Sequence, residues 1–257
     1  MELKELYLDS LLERLRNSRL GCRIGGSYYG SFGYADDIIL LTTSRESLQL
    51  MLEICENYAN EHTMMFSTDP DPKKSKTKCL HFTKKKRIVP KVFLNGNPLP
   101  WVEKANHLGN SLSVELNNNP VSVDTTSDRL QKRAIFFDRV HQLIQQYGYC
   151  DPRLVCELVR IYGTRFYGSV LWQLNSSQHE KLNRSWNITI KMIFKLPFAC
   201  HTRFVESLTE IPHLQSTLHS RYVGFIKKLE ISKKGNLKML FSLLKDSKMS
   251  TYNWKQY

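Results

Sequence analysis

None of the six cysteines, at 22, 55, 79, 150, 156 and 200, forms a Cys-x-x-Cys pair, and none joins histidines at finger spacing. That excludes a zinc ribbon or finger and offers no disulfide framework, so the thiols read as reduced and mostly packed. Long apolar runs are missing as well: none approaches the roughly 20 residues that a membrane-spanning helix needs. The opening Met1-Glu2-Leu3-Lys4-Glu5 is charged and is not a secretory signal. These absences together predict a soluble intracellular protein, nuclear or cytoplasmic, not secreted and without a membrane partner.

Acidic residues are scarce beside basic ones, 24 against 37, which leaves a net charge of +13 and a pI near 9.5. The surplus is uneven. Residues 121–257 carry 21 basic and 10 acidic side chains, whereas 1–120 carry 16 and 14. A polyanionic partner is favoured, with the second half as its contact; a solvated surface is the plainer alternative. The 257 residues, 41% of them apolar, can bury the core of one large domain or two ordinary ones.

The most informative stretch is Ser31-Phe32-Gly33-Tyr34-Ala35-Asp36-Asp37-Ile38-Ile39-Leu40-Leu41-Thr42-Thr43. An aromatic-rich segment, two adjacent carboxylates and an apolar run read as strand, tight turn and buried strand. Ionised side by side at a hairpin tip, Asp36 and Asp37 repel one another unless water, a basic side chain or a bound cation neutralises them. An ordinary acidic surface turn has the same spelling.

Phe32-Gly33-Tyr34-Ala35-Asp36-Asp37 resembles the catalytic motif of reverse transcriptases, and its flanks are similar to the non-LTR (LINE-type) retrotransposon branch of that family. The resemblance implies an RNA-directed DNA polymerase palm in which Asp36 and Asp37 hold Mg²⁺ for nucleotide addition and Tyr34 lies beside them. Its implied partners are an RNA template, a DNA primer and a deoxynucleoside triphosphate. Later segments resemble the same family in order. Lys76-Thr77-Lys78-Cys79-Leu80-His81-Phe82 is similar to the next palm motif, a Lys-Thr pair feeding a strand, which makes Lys76 the counterpart of a lysine near the phosphates. Ala105-Asn106-His107-Leu108-Gly109 resembles the primer grip, with Leu108-Gly109 as its recurring core. The resemblance also implies that the chain begins mid-domain. A first palm carboxylate and the fingers would lie upstream of Met1, so the enzyme is expected to be partial and inactive by itself. No endonuclease or RNase H constellation and no terminal zinc knuckle is recognisable.

Periodicity supplies the elements. Leu3, Leu6, Tyr7, Leu11, Leu12 and Leu15 mark a helix over Glu2–Asn17. Cys22–Ile24 and Ser27–Tyr34 read as strands around Gly25-Gly26. A second helix is expected from Thr43, which has capping-box spacing to Glu46, through Ala59, with an apolar strand at Met64–Phe66. From Lys73 to Arg87 stand eight basic residues and no acidic one, a phosphate-binding or solvated run that makes Lys73, Lys74 and Lys78 candidates alongside Lys76. Asn95-Gly96 predicts a type I′ hairpin between Val89 and Val102.

Composition shifts at Asn117-Asn118-Asn119-Pro120, a boundary that gives domains of 1–119 and 120–257. Beyond it the signals are helical. Asp124–Ile144 shows an apolar face of Leu130, Ala134, Phe137 and Val140, interleaved with Arg129, Lys132, Arg133 and Arg139. Asp151-Pro152 predicts an N-cap and first turn, Gln178–Phe194 a further helix, and Ser207–Ser220 and Arg221–Ile231 two more. Trp172 and Trp186 read as core, and His201, His213 and His219 as surface. The expected fold is α+β; the resemblance makes it a partial polymerase palm, an antiparallel sheet with packed helices, followed by an all-α thumb-like region that lays Arg129, Lys132 and Arg133 along duplex phosphates. Two other readings stand beside it: a non-catalytic basic nucleic-acid-binding module derived from a retroelement, and an unstable remnant.

Overall fold

The structure, a computed structural model, describes residues 2–69, 71, 73–83, 88–114, 123–124, 126–164, 166–172, 177–201, 203–205 and 212–246. Helices accompany short antiparallel strand pairs, which is the α+β class expected. The chain divides into two compact units, Met1–Ala105 with Val114–Ser122, and Asn106–Ser113 with Val123–Tyr257. The boundary read from composition at 119/120 therefore moves. The hairpin around Leu108-Gly109 belongs with the helical unit, because its Ser111 amide and Asn110 side chain bond to the helix that follows. The segment Asn117–Pro120 lies outside the described residues.

In the first unit α1 (Glu2–Asn17) precedes two hairpins, β1 (Arg23–Ile24) with β2 (Ser27–Tyr28) and β3 (Ser31–Tyr34) with β4 (Asp37–Leu40), and then α2 (Arg45–Glu61). Helix α2 begins one residue later than its capping-box spelling suggests. Ser44, in extended backbone, accepts the Ser47 amide at 3.1 Å, so Ser44 rather than Thr43 satisfies an otherwise unpaired donor of the first turn. Its apolar positions serve two cores. Met51, Cys55 and Tyr58 meet Leu11 and Leu15 of α1, while Leu52 meets Cys79, Val92, Leu94 and Leu99.

The Asn95-Gly96 turn joins β5 (Phe93–Leu94) to β6 (Asn97–Pro98), with φ of 52° and 71° at its two residues, the positive pair a type I′ turn requires. Two expected strands do not form. Met64–Phe66 is irregular, and Lys76–Phe82 contributes only a bridge in which Cys79 donates to the Pro100 carbonyl at 2.9 Å and accepts from Val102 at 2.8 Å. Upstream of that bridge, Thr77 donates both its amide and its hydroxyl to the Ser67 carbonyl, which turns the chain before a longer ladder can run.

β8 (Asn110–Val114) lies between β7 (Lys104–His107) and β9 (Val123–Asp124); the division cuts β7 after Ala105 and β8 before Val114. Then follow α3 (Thr126–Tyr147), α4 (Pro152–Leu158) running into a π turn at Val159–Gly163, a 3₁₀ turn at Ser169–Leu171, α5 (Ser177–Ile193), α6 (Leu214–Glu230) and α7 (Gly235–Asp246). Asp151 caps α4 as its spelling predicts, accepting the Arg153 amide at 2.8 Å. The core gathers Phe136 and Val140 of α3, Val159, Phe166, Trp172 and Trp186 with Leu214 and Leu218 of α6. Both tryptophans are thus core, as expected.

Two helical expectations change. The buried stripe of α3 is Asp128, Arg129, Phe136 and Val140, while Leu130 is 45% exposed, so the face drawn through Leu130, Ala134 and Phe137 is rotated. Aromatic packing sets the rotation, because Phe136 meets Phe166 and Trp186 at ring-centroid distances of 5.8 and 6.0 Å. Helix α6 also runs unbroken through Ser220 and Arg221, since Tyr222 continues the buried row of Leu214 and Leu218 at four-residue spacing.

Burial pushes the Cys55 and Cys156 thiols up to about 12 and Cys79 up to about 11, because a thiolate in an apolar surround loses its hydration. In the folded protein at pH 8.5, a thiol-reactive disulfide reagent should therefore label half-buried Cys150 and Cys200 well before these three, and all six cysteines should react together in denaturant. A single labelling rate for all six in the folded state contradicts this packing.

Candidate active site and nucleic-acid interface

The register of β3 and β4 pairs Phe32 with Ile39, Gly33 with Ile38 and Tyr34 with Asp37. The turn is therefore Ala35-Asp36, and Asp37 is the first residue of β4 rather than a turn residue. Ala35 has φ of 53°, a left-handed conformation that costs a residue bearing a Cβ about 1 kcal/mol. Period-two alternation then separates the faces. Gly33 lies under α1, where an added Cβ would come within 2.7 Å of Leu8 Cδ2 and 3.0 Å of Leu12 Cδ1. Phe32 and Tyr34, on the opposite face, are 41% and 67% exposed.

Asp36 and Asp37 are both exposed at this tip. Water solvates both carboxylates there and weakens their mutual repulsion. Two hard oxygen donors fit Mg²⁺, which keeps several waters and takes one or two carboxylates. Among the described residues no third His, Cys, Asp or Glu joins them in a group that could hold a metal ion.

The lysine-bearing turn of the first unit is closed on itself. Asp69 Oδ1 accepts the Asp71 amide at 2.8 Å, Asp71 Oδ1 accepts the Lys73 amide at 2.9 Å, and the Asp71 carbonyl takes the amides of Lys74 and Ser75. Ser75 is buried, donating its hydroxyl to the Thr77 carbonyl at 2.7 Å. Lys73, Lys74, Lys76 and Lys78 all project into solvent from this frame. Asp69 and Asp71 are thus part of the frame that presents the lysines.

In the second unit, Leu108 and Gly109 form the turn between β7 and β8, with φ of 46° and 72°. The three basic residues of α3 do not form the outward row that the sequence suggested. Arg129 is buried at 4% exposure, and Arg133 donates Nε to Ser185 Oγ of α5 at 2.7 Å and lies over the Phe137 ring. Lys132 is paired with Asp128 at 3.0 Å, donates to Asn110 Oδ1 at 3.1 Å and also donates to the Tyr167 carbonyl. The correction has a simple cause. At helical spacing 129, 132, 133, 136 and 140 share a side, and Phe136 and Val140 are the residues that need burial.

Asp128 is the residue sequence reasoning missed. It is 3% exposed, and it accepts the Trp172 indole N–H at 2.8 Å, Lys132 at 3.0 Å and the Ser111 amide at 3.4 Å. The four-residue step from Asp128 to Lys132 was a readable signal. Trp172, 44 residues away, was not. Gly168, at φ 75°, completes the assembly, because a Cβ there would overlap the Asn110 side chain.

In comparisons with protein-family models, curated proteins and solved structures, none matches this chain.

Two outcomes follow from this geometry. Ala35→Gly should raise stability by about 0.5–1 kcal/mol in urea unfolding, because glycine reaches the left-handed region without the Cβ clash; a loss of stability would count against the strained turn. Asp128→Ala removes the counter-charge of the half-buried Lys132 ammonium and the acceptor of the Trp172 indole, so it should cost about 3–5 kcal/mol, with a change in tryptophan emission at Trp172. An effect under about 0.5 kcal/mol, the size typical of surface substitutions, would show that the network carries little.

Proposed function

We propose that this chain is the carboxylate turn and thumb portion of an RNA-directed DNA polymerase, similar to those of non-LTR retrotransposons. The observation that carries the reading is the exposed Tyr34-Ala35-Asp36-Asp37 tip, seated by Gly33 against α1 with its carboxylates free for a cation. Asp36 and Asp37 would hold Mg²⁺, which when bound supplies charge neutralisation for phosphoryl transfer. Lys76 and its neighbours Lys73, Lys74 and Lys78 offer ammonium groups to the phosphates of an incoming deoxynucleoside triphosphate or of the strand. The Leu108-Gly109 turn and the basic second unit take the primer and RNA template, mainly through sequence-independent phosphate contacts.

A second reading, a non-catalytic nucleic-acid-binding module derived from a retroelement, is favoured by the lack of a third metal-ligating side chain among the described residues. Two-metal transfer needs carboxylates from more than one element. The full palm reading therefore requires a further carboxylate donor, and extension by this chain alone is not expected.

The test is primer–template binding and extension on a poly(A) template, with and without Mg²⁺, for this chain and its Asp36→Ala variant. Salt-dependent primer–template binding, with Mn²⁺ detected at the turn by magnetic resonance and lost in the variant, supports the polymerase reading. Duplex binding that survives the substitution and needs no divalent ion selects the binding module. Folded protein that binds neither primer–template nor Mn²⁺ overturns both.

A further inference from the structure

Tyr167 is 63% exposed, yet the backbone beneath it is fixed on every side. Phe166 before it is buried in the core, and the Ser169 amide donates to the Phe166 carbonyl at 3.1 Å. Gly168 after it abuts Asn110, and the Tyr167 carbonyl accepts from Lys132. The ring lies beside the Leu108-Gly109 turn, where a Cβ on Gly109 would sit 3.8 Å from Tyr167 Cδ1. With no side chain at Gly109, the ring and the turn share one open surface. The Lys132 ammonium, itself held by Asp128, stands 6.0 Å from the ring centroid.

A solvated tyrosine is ordinary, but this one has a fixed backbone and a cation over one face of its ring. That combination suits stacking of the other ring face on a base or sugar, since every base offers a π face. The surrounding chain is basic, 21 basic against 10 acidic residues over 121–257, which disfavours a cationic or acid-seeking partner.

We infer that Tyr167 is a stacking contact for a nucleotide of a bound nucleic-acid strand at the Leu108-Gly109 turn, and that Lys132 is its positioning residue. This rests on the nucleic-acid reading proposed above. It also gives Lys132 a different role from a phosphate contact, because three of its donor directions already point at Asp128, Asn110 and the Tyr167 carbonyl.

The experiment combines equilibrium binding of a fluorescent primer–template over a range of salt with photo-crosslinking to 5-iododeoxyuridine in the primer, mapped by mass spectrometry. Tyr167→Ala should weaken binding on the order of 5- to 100-fold without changing the salt slope, and Tyr167→Phe should stay within about twofold. The wild-type crosslink should map to Tyr167. Lys132→Gln, checked for native circular dichroism, should lose that crosslink while the slope stays constant. A slope reduced by about one with the crosslink intact would make Lys132 a phosphate contact and overturn its positioning role. Wild-type binding that Tyr167→Ala leaves unchanged, with crosslinks mapping elsewhere, overturns the stacking assignment and leaves the nucleic-acid reading standing. No binding at low salt by folded wild-type protein removes both.

Discussion

The second unit depends on one buried carboxylate. A charged group at 3% exposure is tolerable only if its lone pairs are filled, and Asp128 fills them from three separate stretches of chain: the hairpin amide of Ser111, the ammonium of Lys132 one helical turn on, and the indole of Trp172. Each donor fixes something else. Ser111 brings the hairpin onto α3, Lys132 reaches Asn110 and the Tyr167 backbone, and Trp172 carries the aromatic core with Phe166, 5.7 Å away between centroids. Polar satisfaction and apolar packing are therefore one constraint here. The same residue that needs donors also decides where the hairpin sits.

The first unit is organised differently, around a helix that is apolar on two sides. Helix α2 receives α1 against Met51, Cys55 and Tyr58 and the β5–β6 hairpin against Leu52, so the β3–β4 ribbon has only its Gly33 face to bury. Its other face and its tip stay in water. A carboxylate pair is tolerable there because the scaffold beneath does not depend on it. This separates a rigid support from an exposed chemical end, and Ala35 stores its strain at the junction.

Much of this was legible along the chain where one local rule decides the outcome. Asn95-Gly96 demands positive φ at both positions, Asp151-Pro152 spells a cap and a first turn, and Leu11 with Leu15 marks the buried side of α1. The adjacent aspartates were visible as a tip, although their register, with Asp37 already in the strand, required the pairing itself. What was not legible depended on distant partners. The rotation of α3 is set by Phe166 and Trp186, the burial of Arg129 follows from that rotation, and the role of Lys132 is set by Asp128 and Tyr167 together. Hydrophobic spacing alone allowed either of two neighbouring stripes on α3, and tertiary packing chose between them. The lost strand at Lys76–Phe82 has the same origin, since Thr77 spends its donors on Ser67 rather than on a ladder.

The dependence of the hairpin on Trp172 also has a meaning for synthesis on the ribosome. Ser111 and Asn110 leave the exit tunnel first, Asp128 and Lys132 soon after, and the indole that completes the carboxylate's shell follows only after about sixty further residues from the hairpin, several seconds at roughly 5–20 residues per second. Through that interval the nascent hairpin holds a docking point whose charge is still served by water. Its carboxylate partner completes its own set of donors only when the Trp172 indole arrives. The support of the Leu108-Gly109 turn is therefore early in sequence and complete only later, and a pause in translation before Trp172 would lengthen that interval without altering a single native contact.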